Sequence, residues 1–376
     1  MNTHTPLEQV LSSYNDNAPL AEASTIPASW YVDPRIFELE RVNVFSRTWQ
    51  LVARSDQVAS PGQFVSTEIA GEPVVVVRGS DGVLRAFLNV CRHHAAAVVT
   101  QPCGQASILQ CPYHGWKYGL DGSLKGMPEF EGVQNFDRGQ NGLVPVRAET
   151  WECFVFVNLD SAAPTLRDFL GGLVQRMAPL GITKLHYFDR RTYDIRCNWK
   201  VFVDNYLDGG YHVPYLHKAL NSVLDYRQYT IENEDRYCLQ SSPMVASDED
   251  AATGATRKGD RASYFWQYPN LMLNCYEEYM DTNYVIPLDA DRCRVIFDFY
   301  FGDVSESRRE HNGQSVEVGN RVQGEDLGIC EDVQRGLKSR AYRAGRLSVR
   351  REAGEHLFHR LLAADLKGSS GKAGIG

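Results

Sequence analysis

Cys91-Arg-His93 and Cys111-Pro-Tyr-His114 each bring one thiol and one imidazole together on a short segment. Two thiolates and two neutral imidazoles are the ligand set of a [2Fe–2S] cluster of the Rieske type, in which cysteines hold one iron and histidines the other. Replacing anionic sulfur by neutral nitrogen stabilises the reduced cluster, so such a site passes single electrons at modest driving force. A zinc site of two cysteines and two histidines draws on the same donors. Zinc-finger spacing, however, pairs Cys with Cys and His with His, whereas here each segment supplies one of each. Asn89-Val90 before the first pair and Gly115-Trp116-Lys117-Tyr118-Gly119 after the second put both pairs on loops at strand ends, each tip held by a hairpin. His94 reads as a group behind the ligands or at the surface.

A second constellation lies between Asn198 and His217, where His212 and His217 stand five apart beside Asp204 and Asp208. Two histidines and one carboxylate on one face of an Fe(II) leave open positions for O2. On an unbroken helix, five residues would swing the second ring about 140° away from the first. Gly209-Gly210 and Pro214 supply the break that lets both rings turn to one metal. The plainer alternative is a pair of surface histidines beside an amphipathic helix. The missing carboxylate is expected in a helix over about 322–337, where Asp326, Cys330, Val333 and Leu337 share one otherwise apolar stripe. A buried Asp is costly unless it binds a cation or is well hydrogen-bonded. Asp326 could instead merely favour the helix dipole. Glu331 and Asp332 fall off the stripe and read as solvated.

The elements that must carry these groups divide the chain into an α+β protein of three stretches. Residues 1–46 form a polar, loosely held arm over the first thirty residues, with order expected from near Val32, then a helix capped by Asp33 and Pro34 that carries Ile36, Phe37, Leu39 and Val42, and belong with the catalytic part. Residues 47–160 read as a small all-β domain: Val74 to Val77, the Asp81-Gly82 turn, Val83 to Val90, Asp121-Gly122 and Phe154 to Val157 are strand and turn signals. Residues 161–376 alternate helices with longer aromatic strands such as Val295 to Phe301. Ser247 to Arg261 reads as a surface loop, and Gly368 to Gly376 as a frayed tail.

With 376 residues, 43% of them hydrophobic, the chain can bury a sizeable core. A formal charge of -8 without a basic run argues against a phosphate-binding surface, so no nucleic-acid partner is expected. No signal-peptide core, transit-peptide character or long apolar run is found, so the expectation is a cytoplasmic protein with no membrane partner. Nine cysteines suit thiols in a reducing compartment better than a disulfide framework. No convincing dinucleotide or flavin motif is present, so electrons from NAD(P)H must arrive through a separate reductase or ferredoxin.

With both motifs in this order, the chain resembles the oxygenase component of the Rieske non-haem iron oxygenases over nearly its whole length. The resemblance implies a Rieske domain followed by a helix-grip catalytic domain, an antiparallel sheet with helices. It implies a homotrimer in which the cluster of one subunit serves the iron of the next. Cys91 and Cys111 would hold one cluster iron, His93 and His114 the other, and His212, His217 and Asp326 the mononuclear iron. Ala96 and Tyr113 stand where mitochondrial-type Rieske proteins carry an additional cysteine pair. The stretches Asp204 to Tyr215 and Glu325 to Leu337 are similar to those of the family's quaternary-amine branch, the choline-monooxygenase-like oxygenases. Many ring-hydroxylating members place an acid bridging the two centres three residues before the first histidine, which here is Gly209. Asp208 is the candidate replacement and Asp204 the second.

The implied reaction is hydroxylation or N-dealkylation of a small quaternary amine with O2. Tyr206, Tyr211, Tyr264, Phe265, Trp266 and Tyr268 are candidates for holding the ammonium. Aromatics would equally line a pocket for an aromatic acid, which leaves an arene hydroxylase or dioxygenase open. A pure electron carrier is the third reading, and it leaves the second metal set and roughly two hundred residues without a purpose.

Overall fold

The computed structural model describes residues 5–246 and 251–368. The chain forms two compact units, Arg41–Phe169 and the unit built from the stretch up to Glu40 together with Leu170 onward. Among the described residues no helix is long and apolar enough to cross a membrane.

The Arg41–Phe169 unit is built on a seven-stranded antiparallel sheet. Its order is Gln50–Arg54, Phe154–Asn158, Pro145–Trp151, Leu84–Leu88, Glu72–Arg78, Gln63–Ile69 and Cys103–Gln105. The unbroken run Val74 to Val77 is explained by its place inside this sheet. Val74 and Val76 enter one core with Val58, Val65, Val155 and Val157, while Val75 and Val77 enter the other with Phe64, Phe87 and Trp116. Side chains alternate faces along a strand, so a strand covered on both faces reads as continuously apolar. A three-stranded sheet of Leu109–Gln110, Lys117–Tyr118 and Leu124–Gly126 stands apart from the larger one.

The other unit carries a second seven-stranded antiparallel sheet, ordered His186–Ile195, Arg292–Phe301, Tyr279–Asp289, Leu271–Tyr276, Arg261–Gln267, Tyr237–Pro243 and Thr230–Glu234. The helix Trp199–Leu207 packs on the strands Tyr279–Asp289 and Arg292–Phe301 and also touches the long helices Arg309–Leu337 and Ala353–Gly368. Trp199 packs edge-on against Phe358, which packs against Trp266. Lys200 is wholly buried, its Nζ 2.5 Å from Glu40 Oε1, and Trp199 Nε1 donates to the other oxygen of Glu40 at 2.7 Å. Removing two charges from water is costly, and this pair offsets the cost by mutual attraction and the added indole bond.

Five expectations are corrected. The arm is packed from Leu7 onward: Trp30 donates to the Val10 carbonyl at 3.0 Å and stacks edge-on with Tyr14, because large aromatics outweigh polar neighbours. The helix Pro34–Glu40 passes into a turn of π-helix over Arg41–Phe45, whose extra residue rotates the face, burying Val44 and Phe45 and leaving Val42 51% exposed. Within 247–261, Ala251–Thr256 is a short helix on the long one, and Thr253 and Arg257 are buried; Ser247 to Asp250 lie outside the described residues. Val333 is 43% exposed, since Gln334 takes the inward position and bonds the Asn198 backbone and Asp291. The long helix also starts at Arg309, well before 322, through a glycine-rich polar turn whose weak propensity hides it. The stretch after Gly368 lies outside the described residues.

Candidate metal centres and substrate pocket

Two loops of the same construction present the first set. Cys91 N–H donates to the Ala96 carbonyl and Ala95 N–H to the Cys91 carbonyl; Cys111 N–H donates to Trp116 and Gly115 N–H to Cys111 in the same pattern. The fifth residue of each loop is left-handed, Ala95 at φ 60° and Gly115 at φ 70°. Asn89 braces the first loop by accepting from the N–H groups of Val98 and Val99. Both cysteines are buried, and the Tyr118 hydroxyl lies 3.3 Å from Cys91 Sγ. Burial first, and also the neighbouring Cys91 thiol, hold the Cys111 thiol above its ordinary range. A thiolate-binding iron reverses that balance, since metal binding displaces the proton.

The rings of His93 and His114 lie edge to face at 4.7 Å, and His93 stacks on Trp116. Burial, then the charges of His94 and His114, push the His93 imidazolium down and favour the neutral ring a metal requires. His93 Nδ1 is buried with no hydrogen-bond partner, an orphan that a cluster iron would satisfy. His94 is exposed beside both rings.

In the other unit the helix Trp199–Leu207, N-capped by the Asn198 side chain, stops at Asp208. Gly209 and Gly210 are both left-handed at φ 68°. A Cβ on Gly209 would overlap the Arg351 carbonyl, so the close approach admits only glycine. The turn this makes brings Asp208 over the next segment, where its carboxylate accepts from the N–H groups of Tyr211 and His212 at 3.0 Å and from His212 Nδ1 at 2.6 Å. A short helical turn, Val213–Leu216, then delivers His217.

His217 is 2% exposed; its Nδ1 is 2.6 Å from Glu325 Oε2 and its Nε2 3.0 Å from Asp326 Oδ1. His212 Nε2 lies 3.9 Å from the same oxygen, and the two rings stand 4.8 Å apart at 79°. Asn205 Nδ2 donates to Asp326 Oδ1 at 2.9 Å. Each imidazole thus gives Nδ1–H to an outer carboxylate, leaving both Nε2 lone pairs to converge with Asp326. Burial lowers the His217 pKa, but Asp326 and then Glu325 outweigh it and the net direction is up, the sign of a site that attracts a cation. The donor set fits a mononuclear iron with open positions. Asp204 is directed elsewhere, to Tyr31 at 2.5 Å and His359 Nε2 at 3.0 Å.

Residues 48–137 match the Rieske [2Fe-2S] domain, and residues 182–368 match the catalytic domain of the ring hydroxylating alpha subunit. The chain is 39% identical over 375 residues to choline monooxygenase, chloroplastic, of Arabidopsis thaliana, covering 96% of this chain and 87% of that one. The chain belongs to the Rieske non-haem iron oxygenases.

This Rieske oxygenase is also 36% identical over 360 residues to the carnitine monooxygenase oxygenase subunit of Escherichia coli strain K12, covering 92% and 95% of the two chains. The solved structure of a quaternary ammonium Rieske monooxygenase superposes with a TM-score of 0.83 at 31% identity, over 91% of this chain and 95% of that one. The family's cofactors are a Rieske cluster and a mononuclear iron, with electrons supplied by a separate donor.

The oxygenase keeps a pocket of about 860 Å³ of empty space, mouth included, against His212, His217 and Asp326. Of the aromatic candidates, Tyr206 and Tyr264 line it. Trp266 and Tyr268 lie beneath the C-terminal helix, against Phe358 and Asp365, Phe265 is buried on the opposite sheet face, and Tyr211 is exposed. Sequence reading missed Tyr229, Tyr276, Asn274, Asp281 and Arg257 in the wall, and Glu325 behind His217. A signal existed in the strand Leu271–Tyr276, where Asn274 and Tyr276 are polar or hydroxylated two places apart among Leu271, Met272, Leu273 and Cys275. Asn274 links the wall, bonding Asp281, Asn283 and Tyr206, while Asn283 Nδ2 is buried with no partner among the described residues.

Proposed function

We propose that this chain is the oxygenase component of a monooxygenase acting on a small quaternary amine, hydroxylating it or removing an N-alkyl group as the aldehyde. The observation that carries the reading is the meeting of His212 Nε2, His217 Nε2 and Asp326 at the wall of a pocket faced by Tyr206, Tyr229, Tyr264 and Tyr276. Aromatic faces attract an alkylammonium that cannot donate a hydrogen bond. The names of two relatives, a choline and a carnitine monooxygenase, agree with that chemistry.

In this reading Cys91, Cys111, His93 and His114 hold the cluster, and His212, His217 and Asp326 hold the Fe(II). When bound, the two centres supply electrons and the O2 activation that C–H hydroxylation needs. The protein's own work is positional. Asp208 and Glu325 fix the imidazole tautomers, Asn205 holds Asp326, and the tyrosines orient the alkyl group to be oxidised. The reading includes a homotrimer in which Asp208 stands between one subunit's cluster and the next subunit's iron, a role supported by its grip on His212. It includes a reducing compartment, the cytoplasm, in keeping with the seven cysteines outside the cluster, none of them in a disulfide.

A reductase-coupled screen tests it. Trimethylammonium compounds should drive substrate-dependent NADH consumption and aldehyde release, and benzoate-like acids should not. Turnover of arenes alone would replace this reading by ring hydroxylation.

A further inference from the structure

Arg257 follows the short helix Ala251–Thr256 and is 6% exposed. Its hydrogen bonds go to a neutral residue: Nη1 donates to Ser315 Oγ at 2.7 Å and Nη2 to the Ser315 carbonyl at 3.4 Å. The guanidinium lies over the rings of Tyr279 at 4.4 Å and Tyr276 at 5.2 Å. Among the described residues it makes no ion pair with a carboxylate. A guanidinium carries five donors and a charge that is expensive to bury without an anion. Asp281, the acid of the same wall, is already engaged by Asn274 at 2.7 Å and Tyr279 at 2.6 Å.

Arg257 lines the same pocket as His212, His217 and Asp326. We propose that Arg257 receives the carboxylate of the substrate, so that the pocket takes a zwitterionic trimethylammonium carboxylate in preference to an uncharged-tail amine such as choline. The proposal rests on the quaternary-amine reading and deepens it. The tyrosine faces suit the ammonium end, and a planar fork of N–H donors suits a carboxylate. A cationic substrate with no anion would meet Arg257 as a like charge in a partly desolvated pocket and gain nothing in return. A guanidinium left without its anion also discriminates strongly against the neutral analogue.

The test uses the loaded enzyme with its reductase and a series of trimethylammonium carboxylates of increasing chain length, each beside its primary amide, together with choline. In the wild type the best acid should show a KM lower than its amide by roughly tenfold or more, with a smaller change in kcat. Arg257→Gln should raise the KM of the acid and close that gap, and Arg257→Lys should retain part of it. A merely structural Arg257, tying Ser315 to the short helix, predicts equal KM values for acid and amide in the wild type, a result that overturns the proposal even if Arg257→Gln does not fold. A gap that survives Arg257→Gln also overturns it. Turnover of choline and the amides as readily as the acids would leave the quaternary-amine reading standing without the Arg257 assignment; turnover of arenes alone would end both.

Discussion

The Asp208 carboxylate is 2.6 Å from His212 Nδ1 and at the same time accepts the N–H groups of Tyr211 and His212. One side chain therefore sets the fold of the turn, the tautomer of the imidazole and its direction. Outer carboxylates of this kind are typically worth about 10- to 100-fold in activity or metal affinity. Asp208→Asn, which keeps the shape and the capping oxygen, should leave the cluster absorption intact and slow steady-state turnover by about that factor. Undiminished turnover would redirect the coupling role to Asp204.

Glu325 does for His217 what Asp208 does for His212, at the same 2.6 Å. Glu325→Gln should weaken retention of the mononuclear iron by about 10- to 100-fold during chelator challenge, while the cluster is held. Equal iron loss from wild type and variant would make Glu325 a bystander.

Gly209→Ala places a Cβ against the Arg351 carbonyl and the Ile231 side chain in a left-handed backbone. We expect a cost on the order of 1–3 kcal/mol from the backbone conformation alone, read as a lower melting temperature, and loss of the mononuclear iron. Gly210→Ala, where the nearest neighbour is the Tyr229 ring at 3.0 Å, should be milder.

How much of this was legible in the sequence follows from what each group requires of its neighbours. The cluster pairs and the His212/His217 pair announce themselves because their chemistry fixes local spacing, and Gly209-Gly210 marks the break the second pair needs. Asp326 was legible as an acid on an otherwise apolar stripe, although the stripe itself runs through Gln334 and not Val333. The pocket wall was not legible. Tyr229, Tyr276, Asp281 and Arg257 meet only because separate strands and a short helix converge on one sheet face, and strand alternation shows two faces without telling which is concave. Arg257 is hidden further by lying in a stretch rich in small and charged residues, the composition of a loop, which here packs through its small side chains.

Tyr118 places its hydroxyl 3.3 Å from Cys91 Sγ and accepts the Arg92 N–H. Hydrogen bonds to cluster sulfurs stabilise the more negative, reduced state and raise the potential. Tyr118→Phe should shift the cluster midpoint to a more negative value in a spectroscopic redox titration. An unchanged midpoint would show that the hydroxyl serves the loop backbone alone.

Burial, then the charges of Asp204, Glu352 and Asp208, hold the Glu355 pKa well above the ordinary carboxylate range. A raised pKa in the folded state means that the contribution of Glu355 to stability is intact below its unfolded value and is lost as pH rises through the folded one. Glu355→Gln should therefore change the melting temperature little near pH 5 and raise it relative to wild type near pH 8. A variant less stable than wild type at the higher pH would mean that His359, whose Nε2 lies 3.8 Å from Glu355 Oε1, holds the charged form in the folded protein.

The central claim is that one polypeptide holds two separate iron centres. Iron and acid-labile sulfide analysis of anaerobically loaded protein tests it most directly. The account predicts about three irons and about two sulfides per chain, one iron belonging to no cluster. About two irons matched by two sulfides in fully loaded protein would contradict it.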